Sequence, residues 1–293
     1  MVMSNRRLGK FIDRTYRSRK IKDLIMRALL CLAAVIVLLP LLNIFSYVLR
    51  EGLPALNADF FLQLPKPIGE TGGGIAHALM GSAVLIGLAS LLGVPWGIAT
   101  GIYLSEFGSG KLAKVVRFSA ELLASVPSII IGLFVYSLVV LTMKRFSALA
   151  GGVALSILMV PTIARTTEEL LRLIPMHIRE AGLALGLPRW KVILFILLKG
   201  SSRGILTGVM LAISRAAGET APLLFTAFGN QYWSTRLDQP IASLPVQIYT
   251  YAISPYEDWH RQAWAAAFIL VCMVFSFNVL TRLVIRSVPR SSE

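Results

Sequence analysis

The stretch that decides the fold is Arg165–Ala227, RTTEELLRLIPMHIREAGLALGLPRWKVILFILLKGSSRGILTGVMLAISRAAGETAPLLFTA. Residues 165–202 read as a charged loop between two apolar spans, and the span after it carries Arg215 and Glu219. In a hydrophobic chain, a long charged loop calls for a function, and charges inside a span call for another. The expectation is that the loop couples an external motor to the membrane and that the following span forms part of an ion path.

Composition supports a membrane setting. The 293 residues are 56% hydrophobic and 15% charged, with a mean hydropathy of +0.71. A soluble domain does not hide that much apolar surface, so the chain is expected to be an integral membrane protein. A basic tail, 1–27, precedes the apolar run Ala28–Val48, which reads as an uncleaved first anchor helix because about 20 residues suffice to cross a bilayer. Further spans are expected at 75–104, 116–143, 147–164, 203–228 and 263–285, six in all. The fold class is thus all-α, with a membrane core over 75–285 and a short C-terminal tail at 286–293.

Loop charges set the orientation. Of the 29 Lys and Arg, 22 fall in 1–27, 105–117, 165–203 and 282–293, six fall in the opposite loops, and Arg215 lies within a span. Cytoplasmic loops carry the excess of basic residues, so both termini are expected in the cytoplasm. The same bias accounts for the net charge of +14 without nucleic acid.

Several spans carry local signals. Gly93, Gly97 and Gly101 form a small-xxx-small face suited to close helix packing in lipid. Pro127, Pro161 and Pro222 are expected to interrupt their spans, facing a cavity or bundle interior where freed carbonyls find partners. Tyr232, Trp233, Tyr249, Tyr251, Tyr256 and Trp259 in the last external loop read as interfacial anchors or as a docking surface for an external partner. Cys31 and Cys272 are far apart, and no disulfide is expected.

Catalytic chemistry is not expected. Gly108–Lys111 reads GSGK, but Ser105 and Leu112 stand where a phosphate-binding loop needs a glycine and a Ser or Thr. His77, His177 and His260 have no metal-ligand spacing. The chain is therefore expected to be no enzyme and to hold neither a metal nor a cofactor, with a partner supplying the energy.

Within the loop, Gly186-Leu187-Pro188 divides the segment into two short helices, since glycine ends a helix and proline starts the next. The first offers Ala181, Leu183, Ala184 and Leu185 as an apolar face, which fits a groove on another protein or a lipid surface. The pattern from Glu180-Ala181-Gly182 through Gly186 and Ile196 to Leu198 resembles the EAA loop of the permease subunits of bacterial ABC importers. Gly182 replaces that loop's second alanine, and Lys199 stands where its proline is usual. The strings TGGGIAHALMGS (71–82), PSIIIGLFVY (127–136), RTTEE (165–169), RAAGETAPLLFTA (215–227) and FGNQYWS with QPIASLPVQIY resemble the phosphate-transporting members of that family.

The resemblance implies a type I ABC importer permease fold in the inner membrane. It also implies a second, PstC-like permease, two PstB-like ATPase subunits holding ATP and Mg, and a periplasmic, PstS-like phosphate-binding protein. Glu180, Ala181, Gly182, Leu183, Ala184, Leu185 and Gly186 would then dock on the ATPase.

The residues fit an anion path. A mid-membrane charge costs about 2.5–3.5 kcal/mol on insertion scales and so marks a protein-facing role. Arg215 and Glu219 are four apart and share a helical face; Thr220 adds a hydroxyl. Arg165, with Glu168 and Glu169 one turn on, is placed near the inner end of the fourth span. Arginine suits phosphate because its fork donates bidentate hydrogen bonds. Arg215, Glu219, Thr220, Arg165 and Glu168 are the path candidates, against plain ion pairs for both couples. A permease for another oxyanion (molybdate or sulfate) and a motor-independent channel or secondary transporter are the alternative functions.

Overall fold

The computed structural model describes residues 3–67, 70 and 72–287. The first two residues of the basic tail, Thr71 and the C-terminal tail from 288 onward lie outside the described residues. The chain divides into two compact units, 1–50 and 51–293. The first is the body of a single helix, α1 (Met3–Gly52). Within Arg19–Ala55 lies a stretch of mean hydropathy 2.8, long enough to cross a membrane. The anchor expected at 28–48 lies inside it.

The second unit consists of α2 (Ala58–Leu62), α3 (Ala76–Glu106), α4 (Lys111–Ser125), α5 (Ser128–Val135), α6 (Leu141–Met143), α7 (Ala148–Arg172), α8 (Met176–Ala184), α9 (Arg189–Lys191), α10 (Leu198–Ala217), α11 (Ala221–Leu224), α12 (Leu244–Ala252) and α13 (Glu257–Ser287). π-helical segments at Tyr136–Val140 and Val192–Leu197 join α5 to α6 and α9 to α10, so Ser128–Met143 and Arg189–Ala217 each run on.

Five helices among the described residues are long and apolar enough to span a membrane, and a sixth span exists only if Lys111–Ser125 and Ser128–Met143 count as one. That pair is bent by 107°, so the span expected at 116–143 is not a straight helix. Two causes act together. Pro127 pushes the preceding Val126 into extended backbone (φ −68°, ψ 134°), as proline does to its predecessor. And α4 carries Lys111, Lys114, Arg117 and Glu121, which a lipid-facing segment does not tolerate. Pro161, by contrast, lies inside the continuous helix α7 and does not interrupt it. Pro222 sits near the start of α11 rather than inside a long helix.

Helix α7 is the centre of the unit. Its buried side chains, among them Leu155, Met159 and Ile163, share one core with Leu85 and Ala89 of α3 and Val209 and Ala212 of α10. The glycine face of α3 packs against it: a β-carbon on Gly97 would lie 2.7 Å from Ile163 Cβ, and one on Gly101 would lie 2.5 Å from Thr167 Cβ. Neither distance is sterically possible, so the seam requires glycine. Gly204 and Gly208 of α10 approach Leu170 and Thr166 of α7 in the same way, and Gly132 of α5 approaches Pro222. Replacing Gly101 by valine is expected to destabilise the fold by about 1–3 kcal/mol through overpacking. Gly87 of the same helix faces open space, so Gly87→Ala serves as the comparison, expected to be neutral or stabilising. Thermal melting of the detergent-solubilised protein reads both.

At the other end of the unit, the region expected as one external loop, 229–262, contains α12 and the start of α13. Tyr251, expected as an interfacial anchor, is buried and stacks on Trp259 with ring centroids 4.6 Å apart. Ser82 Oγ of α3 accepts from the Leu244 amide at 2.8 Å, and Gln262 Nε2 donates to the Gly72 carbonyl at 2.9 Å. These bonds tie the glycine run 72–74 and α12 to the helical body. Both cysteines are free.

Candidate translocation path and coupling surface

The expected loop at 165–202 is shorter in the structure, because α7 continues through Arg172. Arg165, Glu168, Glu169 and Arg172 therefore ride on one helix, and helical geometry selects their partners. Residues four apart face each other, which pairs Arg165 Nε with Glu169 Oε1 at 2.9 Å and Arg172 Nη2 with Glu168 Oε1 at 2.8 Å. The expected couple of Arg165 with Glu168 does not form. Glu168 instead turns toward α4, where Arg117 Nη2 donates to Oε1 at 2.6 Å and Nε at 3.2 Å.

These two settings differ in kind. Glu168 is buried at 6% exposure, whereas Arg165 and Glu169 are both largely exposed. Arg117, Glu121, Pro161, Arg165, Glu168 and Glu169 line a cavity of about 210 Å³ between α4 and α7. Its walls offer guanidinium forks that can exchange a carboxylate for another oxyanion of similar shape. Glu168→Leu would leave Arg117 and Arg172 without their shared acceptor. Breaking a buried pair costs about 3–5 kcal/mol, and an exposed one about 0–1. With one buried and two partly exposed partners, a loss of about 1–3 kcal/mol is expected, read as a lower melting temperature.

The second candidate group lies at a break in the helix. α10 ends at Ala217, and the chain restarts as α11 with Thr220 as its N-cap. The expected span 203–228 is thus replaced by a helix from Arg189 to Ala217 and a short piece beyond it. The break falls at Gly218–Thr220, ahead of Pro222. Arg215 stands in the last turn of α10, where the helix dipole favours a cation. Its Nε is 3.8 Å from Glu219 Oε1, close enough for an ion pair but beyond hydrogen-bond distance. Arg215 is 57% exposed and Glu219 17%. Neither these two nor Thr220 lines the cavity that holds Arg165 and Glu168, so the path candidates form two separate groups. Broken helices of this kind at membrane depth line cavities and present helix ends to ions.

The third group is α8 with its C-terminal turn. Glu180, Ala181, Leu183, Ala184, Leu185 and Gly186 are exposed, and Gly182 is buried. The reason is steric: a β-carbon on Gly182 would meet Val192 and Ile196 at 3.0 Å. Gly186 adopts φ +78°, the left-handed conformation that closes a helix at no cost to glycine. Pro188 then caps α9. The division at Gly186–Pro188 is as expected, but the second helix is not short; no proline interrupts Arg189–Ala217, and the helix runs on.

Three arginines escaped sequence reasoning. Arg172 is four residues from Glu168 and could have been found by that spacing. Arg117 reaches Glu168 across 51 residues of sequence, and Arg179 reaches Glu106 across 73; neither leaves a local signal.

Residues 93–291 match the family described as binding-protein-dependent transport system inner membrane component. The chain is 48% identical over 242 residues to the phosphate transport system permease protein PstA of Yersinia pestis, covering 82% of each chain. It is 45% identical over 266 residues to that of Haemophilus influenzae, covering 90% of this chain and 94% of the relative. Among solved structures, an inward-facing MetNI methionine ABC transporter aligns over 74% of this chain and 95% of its own, with a TM-score of 0.59 at 19% identity. A bacterial ABC transporter that imports alginate aligns over 94% and 100%, with a TM-score of 0.63 at 15% identity. At those identities the likeness is one of fold.

Proposed function

Because the chain belongs to the binding-protein-dependent transport system inner membrane component family, we propose that it is the permease subunit of an ATP-driven importer of inorganic phosphate. It is a multi-pass membrane protein of the ABC importer permease type and a transport component rather than an enzyme. The observation that carries the phosphate assignment is its 45–48% identity, over most of both lengths, to permeases named for phosphate transport. The inner membrane is its location, with both termini on the cytoplasmic side, as the bias of basic residues favours.

Partners complete the machine. A second, PstC-like permease supplies the other wall of the path. Two PstB-like ATPase subunits carry ATP and Mg, and a PstS-like binding protein delivers phosphate from the periplasm. Closure of the ATPase pair pushes on Glu180–Gly186 and switches the path from outward-open to inward-open. Arg215 contacts the ion beside Glu219 and Thr220 at the helix break, and Arg165 and Glu168 act further in. Glu219 near Arg215 keeps that contact transient, since a carboxylate competes with phosphate for the same guanidinium.

Specificity is tested by competition. Uptake of labelled phosphate by cells relying on this chain is expected to fall with excess unlabelled phosphate and to persist in excess sulfate or molybdate. Inhibition by either of the latter would reassign the substrate.

A further inference from the structure

The exposed face of α8 can receive a push, but a push is useful only if it reaches the helices of the path. Among the described residues, Arg179 is placed to carry it to α3 and α7. Arg179, one residue before Glu180, turns its guanidinium inward and is 14% exposed; its partner Glu106 is 13% exposed. Nε and Nη2 donate to Glu106 Oε1 at 3.2 and 2.9 Å. Nη1 donates to the Ile174 carbonyl at 2.5 Å, and Nη2 to the Leu171 carbonyl at 2.7 Å.

Each of these acceptors belongs to a helix end. Glu106 is the last residue of α3, and Leu171 and Ile174 flank the end of α7 at Arg172. Helix C-termini leave carbonyls without intrahelical partners and carry the negative end of the dipole. A carboxylate at the end of α3 adds further negative charge there. One guanidinium answers all of this, because its fork donates in several directions at once. α3 and α7 are themselves locked along Gly93, Gly97 and Gly101. α8 is held at a second point by Gly182 against Val192 and Ile196, at the start of the Arg189–Ala217 helix that ends at Arg215. A displacement of α8 is thus shared between the α3–α7 pair, through Arg179, and the helix bearing Arg215, through Gly182.

We propose that Arg179 is the positioning residue that transmits movement of α8 to α3 and α7, through its fork onto Glu106 and the carbonyls of Leu171 and Ile174. This rests on the reading of the chain as a permease driven by a partner ATPase. Arg179 touches neither the ion nor ATP; it acts through the helices it joins. A lysine keeps the charge beside Glu106 but lacks the planar fork that spans all three acceptors. Glu106→Gln leaves the carbonyl bonds and weakens only the tie to α3, because the amide oxygen still accepts but carries no charge.

The test uses the complete transporter in proteoliposomes with its binding protein, comparing wild type with Arg179→Gln, Arg179→Lys and Glu106→Gln. Three quantities are read for each: ATPase retained on purification, ATP hydrolysis, and labelled phosphate taken up per ATP hydrolysed. Arg179→Gln is expected to retain the ATPase and hydrolyse ATP while uptake per ATP falls about tenfold, within the about 5–150-fold that coupling between sites commonly spans. Arg179→Lys and Glu106→Gln are expected to fall between it and wild type. Should Arg179→Gln fail to assemble, the two milder variants decide. Wild-type uptake per ATP in every assembled variant would overturn the proposal. Absence of phosphate uptake by the wild-type complex would instead overturn the reading on which it rests.

Discussion

Replacing Arg215 by alanine is expected to lower phosphate uptake by the assembled transporter about 10- to 100-fold, as loss of a charge-assisted hydrogen bond of about 1.5–3 kcal/mol implies. The expectation turns on what the residue is not doing. Its carboxylate neighbour Glu219 is 3.8 Å away, and the arginine is 57% exposed. An exposed ion pair of that geometry contributes about 0–1 kcal/mol to stability. A guanidinium in a membrane span must have another reason to be there, because inserting it costs more than such a pair returns. Transport should therefore fall far more than the melting temperature does. Arg215→Lys is expected to restore part of the rate, since an ammonium attracts the anion without offering a bidentate fork. If Arg215→Ala took up phosphate at the wild-type rate in a normally assembled complex, Arg215 would be only a structural charge.

The second large effect is expected at the exposed C-terminal end of α8 and the turn after it. Leu185 is 80% exposed and Leu183 42%, so neither contributes much to the fold of the chain. Their substitution by glutamate is expected to leave folding and membrane insertion intact. Association with the ATPase, by contrast, should weaken about 30-fold or more, since truncating an interface anchor costs about 2 kcal/mol or more. Deleting Glu180–Gly186 should abolish association altogether. Co-purification of the ATPase subunits with the tagged chain reads both. Undiminished association would mean that the ATPase docks elsewhere.

The sequence was most informative where a single residue type has one physical use. Gly93, Gly97 and Gly101 announced a close helix contact, and the structure places it against α7. Gly186 and Pro188 announced a helix boundary and mark one. Pro127 announced a break, though not its size, because the bend of 107° also depends on the charges that keep α4 from continuing a span. Pro161 misled in the other direction: a well-packed helix absorbs a proline when neighbouring helices hold it in place.

Charged residues were harder. Sequence spacing placed Arg165 with Glu168 as one couple, but at i+4 Arg165 meets Glu169, and Glu168 is claimed by Arg117 from another helix. Contacts made across 51 or 73 residues leave no periodicity to detect. The long loop expected at 165–202 was an overestimate for a related reason. Amphipathic helix ends that leave the membrane keep their helical hydrogen bonds, so hydropathy places the boundary too early at Ala164 and too late at Arg203, whereas the helices end at Arg172 and begin at Arg189.

The central claim is that this chain forms part of a phosphate path opened by a partner's ATP hydrolysis. Its most direct test is reconstitution of the purified assembly, with its binding protein, into liposomes, followed by measurement of labelled phosphate uptake with and without ATP. The expected result is uptake that requires ATP, falls about 10- to 100-fold in the Arg215→Ala assembly and is lost when Glu180–Gly186 is deleted. Phosphate crossing at the same rate without ATP would contradict the claim and make the chain a motor-independent channel.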